Sequence, residues 1–226
     1  MTTPEELARR LAAEAVAADD PTAWFERIYA AAQAGQTALP WDRGAPSPLL
    51  LDWDQAAADS HRGDGRRAVV VGCGLGEDAE FIATRGFETT AFDISPTAIR
   101  TARQRHPGSA VHYTTADLLE LPADWVQAFD LVFESNTLQA LPDPPRATAI
   151  ANVGRLVAPG GTLLVLARAV EPGESADGPP WPLTRAQIDA LAGPGLAPVR
   201  VEDLRAAGSP PVRRWRAEFT RPSGAR

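Results

Sequence analysis

The chain of 226 residues is long enough for one domain with a sizeable core, and too short for two ordinary domains. Hydrophobic residues make up 44% of the chain and charged residues 23%, which is typical of a globular protein. The net charge of −7 disfavours a nucleic-acid partner, and the single cysteine, Cys73, excludes an intrachain disulfide and a cysteine-cluster metal site.

All 22 basic residues are arginine, so Schiff-base and phosphate-binding lysines are excluded. No apolar run approaches the length of a membrane span, and the first residues lack the basic start and apolar core of a signal peptide. We therefore expect a cytoplasmic protein, monomeric or homodimeric, with no membrane partner and no metal.

Residues 1–65 are predicted to form a helical cover that belongs to the same domain as the rest of the chain. Residues 36–48 contain three prolines and a glycine and cannot form a regular element, so Trp41 within them needs other residues to cover it. Helices are predicted over residues 4–18, 22–35 and 49–58.

Residues 66–226 are predicted to form the core, because short apolar runs alternate there with helical segments. Strands are predicted over residues 68–71, 88–92, 111–114, 129–134, 162–167, 199–201 and 216–220. Helices are predicted over residues 77–85, 96–105, 146–157 and 184–191. This alternation predicts an α/β fold with a doubly wound, mostly parallel, seven-stranded sheet.

A glycine loop follows the first predicted strand, where open α/β sheets bind their ligands. Residues 72–76 read Gly-Cys-Gly-Leu-Gly, with Glu77 where the dinucleotide fingerprint has its third glycine. Glu77 and Asp78 also begin the next helix, at the position where a pyrophosphate would bind. Two carboxylates disfavour a pyrophosphate there, so we expect a ligand without one.

Acidic residues end the next two strands. Asp93 can accept hydrogen bonds from both ribose hydroxyls, and Asp117 can accept from an adenine amino group. A glycine loop and these two acids, without a phosphate site, indicate a nucleoside with a small uncharged or cationic tail. S-adenosylmethionine meets this description better than NAD, although an NAD(P)-dependent oxidoreductase stays an alternative.

Five motifs resemble, in order, those of class I S-adenosylmethionine-dependent methyltransferases. They are VVGCGLG at residues 70–76, FDIS at 92–95, AD at 116–117, FDLVFE at 129–134 and LVAPGG at 156–161. The resemblance implies the Rossmann-like fold of that class and S-adenosylmethionine as cofactor. It implies that Cys73 fills space rather than acting as a nucleophile. The cofactor-binding residues it implies are Trp41, Gly72, Cys73, Gly74, Gly76, Asp93, Ile94, Asp117, Leu118 and Glu134.

The ends of the chain resemble the thiopurine and thiol (halide) S-methyltransferases. The similar segments are PWDRGAPSPL at residues 40–49, GPPW at 178–181 and the late Trp215. The resemblance implies that the N-terminal segment folds over the cofactor, with Trp41 against the cofactor or the acceptor. Ser135 stands where the halide branch has tyrosine and the thiopurine branch arginine, which suggests a pocket for a larger acceptor. The implied acceptor-binding residues are Trp41, Ser135, Asn136, Gln139 and Trp181.

The reaction predicted from this resemblance is methyl transfer to a small-molecule thiol. A thiol has a pKa near 8.5 and needs little help from a general base, and no convincing base is found. His61, His106 and His112 are expected to be structural or solvated, and Glu134 and Asn136 are the candidate catalytic residues. The alternatives are O- or N-methylation of a small natural product and a non-catalytic S-adenosylmethionine-binding protein.

Overall fold

The computed structural model describes residues 2–56, 61–174, 178–193, 195–206 and 212–224, which form helices packed on one sheet. The strands are β1 (Arg67–Val71), β2 (Glu88–Asp93), β3 (His112–Thr115), β4 (Phe129–Ser135), β5 (Val157–Arg168), β6 (Ala197–Ala206) and β7 (Val212–Thr220). The helices are α1 (Pro4–Ala17), α2 (Ala23–Gln33), α3 (Pro48–Ala56), α4 (Glu77–Thr84), α5 (Pro96–Arg105), α6 (Pro145–Arg155) and α7 (Arg185–Asp189).

The sheet of these described residues has seven strands in the order β3-β2-β1-β4-β5-β7-β6. Strands β1 to β5 pair in parallel, whereas β7 runs antiparallel to both β5 and β6. The central strands are buried on both faces, which explains why their sequences are continuous apolar runs. The predicted α/β fold with a mostly parallel, seven-stranded sheet is confirmed.

The structure corrects several predicted boundaries. The helix predicted over residues 146–157 ends at Arg155, and Val157 already pairs with Phe129 in the sheet. The last predicted helix is shorter than expected, because α7 passes into a 3₁₀ turn, Ala190–Ala192. Helix α3 ends at Ala56, and residues 57 and 58 of its predicted span lie outside the described residues.

The last two strands are several residues longer than predicted. Charged residues pair across these strands, as Arg216 does with Glu202 and Arg213 with Asp203. Such residues interrupt the apolar pattern that indicates a strand in the sequence. The predicted spans therefore leave out Leu204 of β6 and Trp215 of β7.

Helices α1 and α2 pack together over the carboxyl ends of β1 and β2. Their buried side chains, which include Trp24 and Ile28, form one cluster with Leu75 of the glycine loop. Thr3 caps α1 as predicted, by accepting a hydrogen bond from the backbone N–H of Glu6. The Glu26 carboxylate accepts a hydrogen bond from the Thr97 N–H (3.0 Å), which connects α2 to the start of α5.

Every helix that the structure describes is too short or too polar to span a membrane.

Candidate cofactor and acceptor cleft

A cleft of about 460 Å³ lies at the carboxyl ends of β1, β2 and β4, beneath α1, α2 and the loop that contains Trp41. This volume lies in the range that binds small molecules and cofactors. Its walls are the glycine loop, the ends of β2 and β3, the segment after β4, and arginines of β5 and β7.

All three glycines of the loop have a positive φ and approach neighbouring side chains closely. At Gly76 (φ +100°), a Cβ would lie 2.3 Å from the Tyr113 hydroxyl. Gly72 has a φ of +58°, and a Cβ there would lie 2.2 Å from Thr137 Oγ1. Gly74 has a φ of +55°, and a Cβ there would lie 3.0 Å from the hydroxyl of Tyr29. Burial, with Asp93 nearby, raises the pKa of the Cys73 thiol well above its usual value, so this thiol stays protonated at neutral pH.

The Asp93 carboxylate is buried and connects the glycine loop to the end of β2. It accepts hydrogen bonds from the backbone N–H groups of Gly74 (3.0 Å) and Ser95 (2.9 Å). Burial raises the pKa of Asp93 to about 6, although both hydrogen bonds favour the charged form. Asp93 lines the cleft together with its neighbour Ile94.

The end of β3 provides the next part of the same wall. Asp117 accepts a hydrogen bond from the Leu119 N–H (2.7 Å), and the side chain of Leu118 is buried in the core beside it. Both Asp117 and Leu118 line the cleft.

The loop that contains Trp41 closes one side of the cleft. The Trp41 indole N–H donates to the Tyr29 hydroxyl (3.0 Å), and the two rings meet edge to face. Asp42 pairs with Arg105 at 2.9 Å, and the same guanidinium also pairs with Glu77 at the start of α4. Ser47 donates its N–H to Asp78 (2.6 Å). The two carboxylates that begin α4 therefore connect this loop to the core.

Glu134 at the end of β4 is fully buried and lies outside the cleft lining. Its Oε1 accepts hydrogen bonds from the N–H groups of Thr137 (2.6 Å) and Leu138 (3.0 Å), whereas Oε2 has no hydrogen-bond partner within the described part of the chain. Burial raises the pKa of Glu134 to about 7. Glu134 thus shapes the turn whose residue Thr137 lies against the glycine loop.

The segment after β4 forms a polar wall. Asn136 adopts a left-handed conformation (φ +66°), and its amide N–H donates to the Ser135 hydroxyl at 2.9 Å. Its Oδ1 accepts hydrogen bonds from Gln139 (3.1 Å) and Arg214 (2.9 Å). This network fixes the Asn136 side chain in the wall of the cleft.

The structure brings most of the predicted site residues together. Those that line the cleft are Trp41, Gly72, Cys73, Gly74, Asp93, Ile94, Asp117, Leu118, Ser135, Asn136 and Gln139. Besides Glu134, two predicted residues lie outside the lining. Gly76 faces Tyr113 and His106, and Trp181 packs on the cluster of the cover helices.

The three histidines, all of which the structure describes, lie outside the cleft lining. His61 stacks on Trp53 with ring centroids 3.4 Å apart, and the ring of His106 lies 3.1 Å from the Leu75 carbonyl oxygen. The lining residues that were not predicted from the sequence include four arginines, Arg9, Arg43, Arg168 and Arg214. Nothing in their local sequence distinguishes them from the other arginines of the chain.

Residues 68–161 match a family of methyltransferase domains. Residues 68–161 are therefore a methyltransferase domain. The chain is 36% identical over 118 residues to a ubiquinone biosynthesis O-methyltransferase of Aromatoleum aromaticum, which covers 51% of this chain and 48% of that protein. It is 26% identical over 196 residues to "Probable thiol methyltransferase 2" of Arabidopsis thaliana, which covers 83% of each chain. The chain spans about half the length of the ubiquinone O-methyltransferases that it matches.

A solved structure with the same fold comes from work on the conversion of a disulfide bond into a thioacetal group during echinomycin biosynthesis. It superposes with a TM-score of 0.70 at 22% identity and covers 89% of this chain and 94% of that one. The predicted class, a class I methyltransferase domain, is confirmed by these comparisons.

The raised pKa of Glu134 predicts that the free energy of unfolding depends on pH. Glu134→Gln should remove this contribution. The folded protein binds this proton more tightly than the unfolded chain, whose ordinary value is 4.5. The resulting stabilisation is complete below that value and is lost as the pH rises through about 7. Ionisation of the buried group should cost on the order of 3 kcal/mol.

Urea unfolding of both proteins between about pH 4 and 8 measures this effect. Asp93, whose pKa is also raised, contributes in the same direction to both proteins, so the difference between them isolates Glu134. Equal pH slopes for the two proteins would contradict the prediction.

Proposed function

We propose that this methyltransferase transfers a methyl group from S-adenosylmethionine to a small-molecule thiol. The observation that carries the proposal is that five of the six carboxylates lining the cleft have partners, and the sixth, Glu5, is exposed on α1. Asp93, Asp117 and Asp78 accept backbone hydrogen bonds, and Asp42 and Glu77 pair with Arg105. A thiol is partly ionised at neutral pH and is the acceptor that least needs a base.

The residues that line the cleft suit S-adenosylmethionine as cofactor. Gly72, Gly74 and Asp93 all line the cleft, so a ligand there meets the backbone of the glycine loop and a carboxylate to which ribose hydroxyls can donate. Ile94, Asp117 and Leu118 provide an apolar and carboxylate-bearing wall for adenine. When bound, S-adenosylmethionine supplies an electrophilic methyl group.

The tryptophan loop and the segment after β4 are assigned to water exclusion and to acceptor binding. Trp41 excludes water from the cleft, and Ser135, Asn136 and Gln139 form the wall that orients the acceptor. Residues 1–65 act as a cover of the same domain as 66–226.

Three predicted site residues receive indirect roles in this proposal. Glu134 positions the Thr137 turn rather than contacting a ligand. Gly76 and Trp181 support the glycine loop and the cover from outside the cleft. The cytoplasmic location and the monomeric or homodimeric state stay predictions.

Similarity to the Arabidopsis protein supports the thiol acceptor, because it extends over 196 residues and the methyltransferase-domain match covers only residues 68–161. O-methylation is the second candidate, because the ubiquinone O-methyltransferases have the higher identity. A phenol has a pKa near 10 and would need a base. Its methylation should therefore increase as the pH rises through the pKa of a residue in the cleft.

Mass spectrometry with methyl-deuterated S-adenosylmethionine tests the proposal on matched aromatic thiols, phenols and amines. Labelled thioether products, formed faster than ether or amine products, are expected. Faster labelling of phenols would favour the second candidate. Tight S-adenosylhomocysteine binding without any labelled product would indicate a non-catalytic binding protein.

Asp93→Asn should weaken binding of S-adenosylhomocysteine by more than ~1.5 kcal/mol, because a charge-assisted acceptor for the ribose is lost. Isothermal titration calorimetry measures the affinity, and thermal unfolding checks that the variant is folded. Asp52→Asn is the matched control, since Asp52 is exposed on α3 and lies outside the cleft lining. An unchanged affinity in folded Asp93→Asn would refute the ribose assignment.

Trp41→Ala should reduce kcat/KM by about tenfold or more in protein that is still folded, because the cleft then opens to water. Trp53→Ala is the control, since Trp53 is buried in α3 and lies outside the cleft lining. It should lower thermal stability with little loss of activity per folded molecule. If both variants lost stability and activity in the same proportion, Trp41 would only fill space.

A further inference from the structure

Two arginines face each other across the strands that end beside the cleft. Arg168 on β5 and Arg214 on β7 are direct partners in the antiparallel register, so their side chains lie on the same face of the sheet. Like charges in this arrangement destabilise a sheet. Among the residues that the structure describes, no carboxylate lies within ion-pair distance of either guanidinium.

The neighbouring arginines of the same strand are neutralised, which makes this pair an exception. Arg213 pairs with Asp203 and Glu171, and Arg216 pairs with Glu202. Arg214 instead donates to a neutral group, the Asn136 amide oxygen, at 2.9 Å. The charges of Arg168 and Arg214 are thus left uncompensated, although the chain as a whole is acidic. An external anion can therefore bind there.

Both guanidinium-bearing residues line the cleft, as does Arg43 of the tryptophan loop. Burial and the positive charges of Arg168 and Arg43 lower the pKa of Arg214, so the three cations act on one another. The nearest carboxylate to Arg43 is Asp78, at 3.9 Å. Because Asp78 lies in the first turn of α4, directly after the glycine loop, Arg43 lies on the cofactor side of the cleft. Arg214 bonds to Asn136, and the Arg168 N–H donates to the Gln139 side chain, so these two lie beside the segment after β4.

We infer that the methyl acceptor carries a carboxylate, which binds between Arg168 and Arg214. Planar guanidinium groups bind carboxylates through two parallel hydrogen bonds, and the apolar part of the acceptor would pack on Leu141 and Pro180 of the same lining. The inference rests on the proposed function, and it names the chemical class of the acceptor independently of which atom receives the methyl group.

The test compares 4-mercaptophenylacetate with its methyl ester, in which the carboxylate is neutral and the thiol is little changed. The same pair with a phenol, 4-hydroxyphenylacetate and its methyl ester, is measured in parallel. Wild-type kcat/KM should be at least about tenfold higher for the acid than for the ester, as expected for a charge-assisted hydrogen bond. Arg168→Gln combined with Arg214→Gln should bring this ratio close to one.

Arg213→Gln is the matched control, because it removes an adjacent guanidinium that carboxylates already neutralise, and it should leave the ratio unchanged. Arg168→Gln alone serves if the double variant does not fold, since Arg168 is exposed and should lower the ratio by itself. An acid-to-ester ratio of one or less in the wild type, or a ratio that the variants do not change, would overturn the inference.

Calorimetry with S-adenosylhomocysteine separates the remaining outcomes. An unchanged affinity in the double variant supports an acceptor site, whereas a loss as large as the loss in kcat/KM would assign the arginines to the cofactor carboxylate and overturn the inference. If neither thiol nor phenol is methylated, the proposed function fails. Titration of 4-mercaptophenylacetate and its ester into the S-adenosylhomocysteine complex then still tests the carboxylate preference by itself.

Discussion

The geometry of the cleft depends on the buried carboxylate of Asp93. Its two oxygens accept backbone hydrogen bonds from Gly74 in the glycine loop and from Ser95 at the start of α5. A carboxylate is the side chain that can accept from both donors at once, and burial makes the loss of either bond costly. The bonds hold the carboxyl ends of β1 and β2 in one fixed arrangement.

The cover depends on the same region of the core. Trp41 bonds to Tyr29, whose hydroxyl lies against Gly74, and Asp42 reaches Glu77 through the shared guanidinium of Arg105. The tryptophan loop and the glycine loop, which lie on opposite sides of the cleft, are therefore connected through shared contacts. We expect substitutions in the tryptophan loop to change the glycine loop as well, since both share these partners.

The cleft has opposite electrostatic character at its two ends. Near the glycine loop, carboxylates such as Asp93 are already bonded to backbone N–H groups or to Arg105. Near Asn136, Arg168 and Arg214 have no carboxylate partner among the described residues. This difference supports a nucleoside cofactor with a cationic sulfur at one end and an anionic acceptor at the other, and it agrees with a reaction that relies on positioning.

The sequence by itself determined the order of strands and helices along the chain. It also determined the positions of the glycine loop, Asp93 and Asp117 at the strand ends, because these signals are local and recur at fixed places in α/β domains. It could not reveal the side chains that meet across long separations, such as Asp42 with Arg105 or Arg168 with Arg214. It also did not separate Glu134, which bonds the Thr137 turn, from residues that line the cleft. Only the tertiary structure decides which of many similar arginines and carboxylates become neighbours, because that depends on strand register and on how the cover packs.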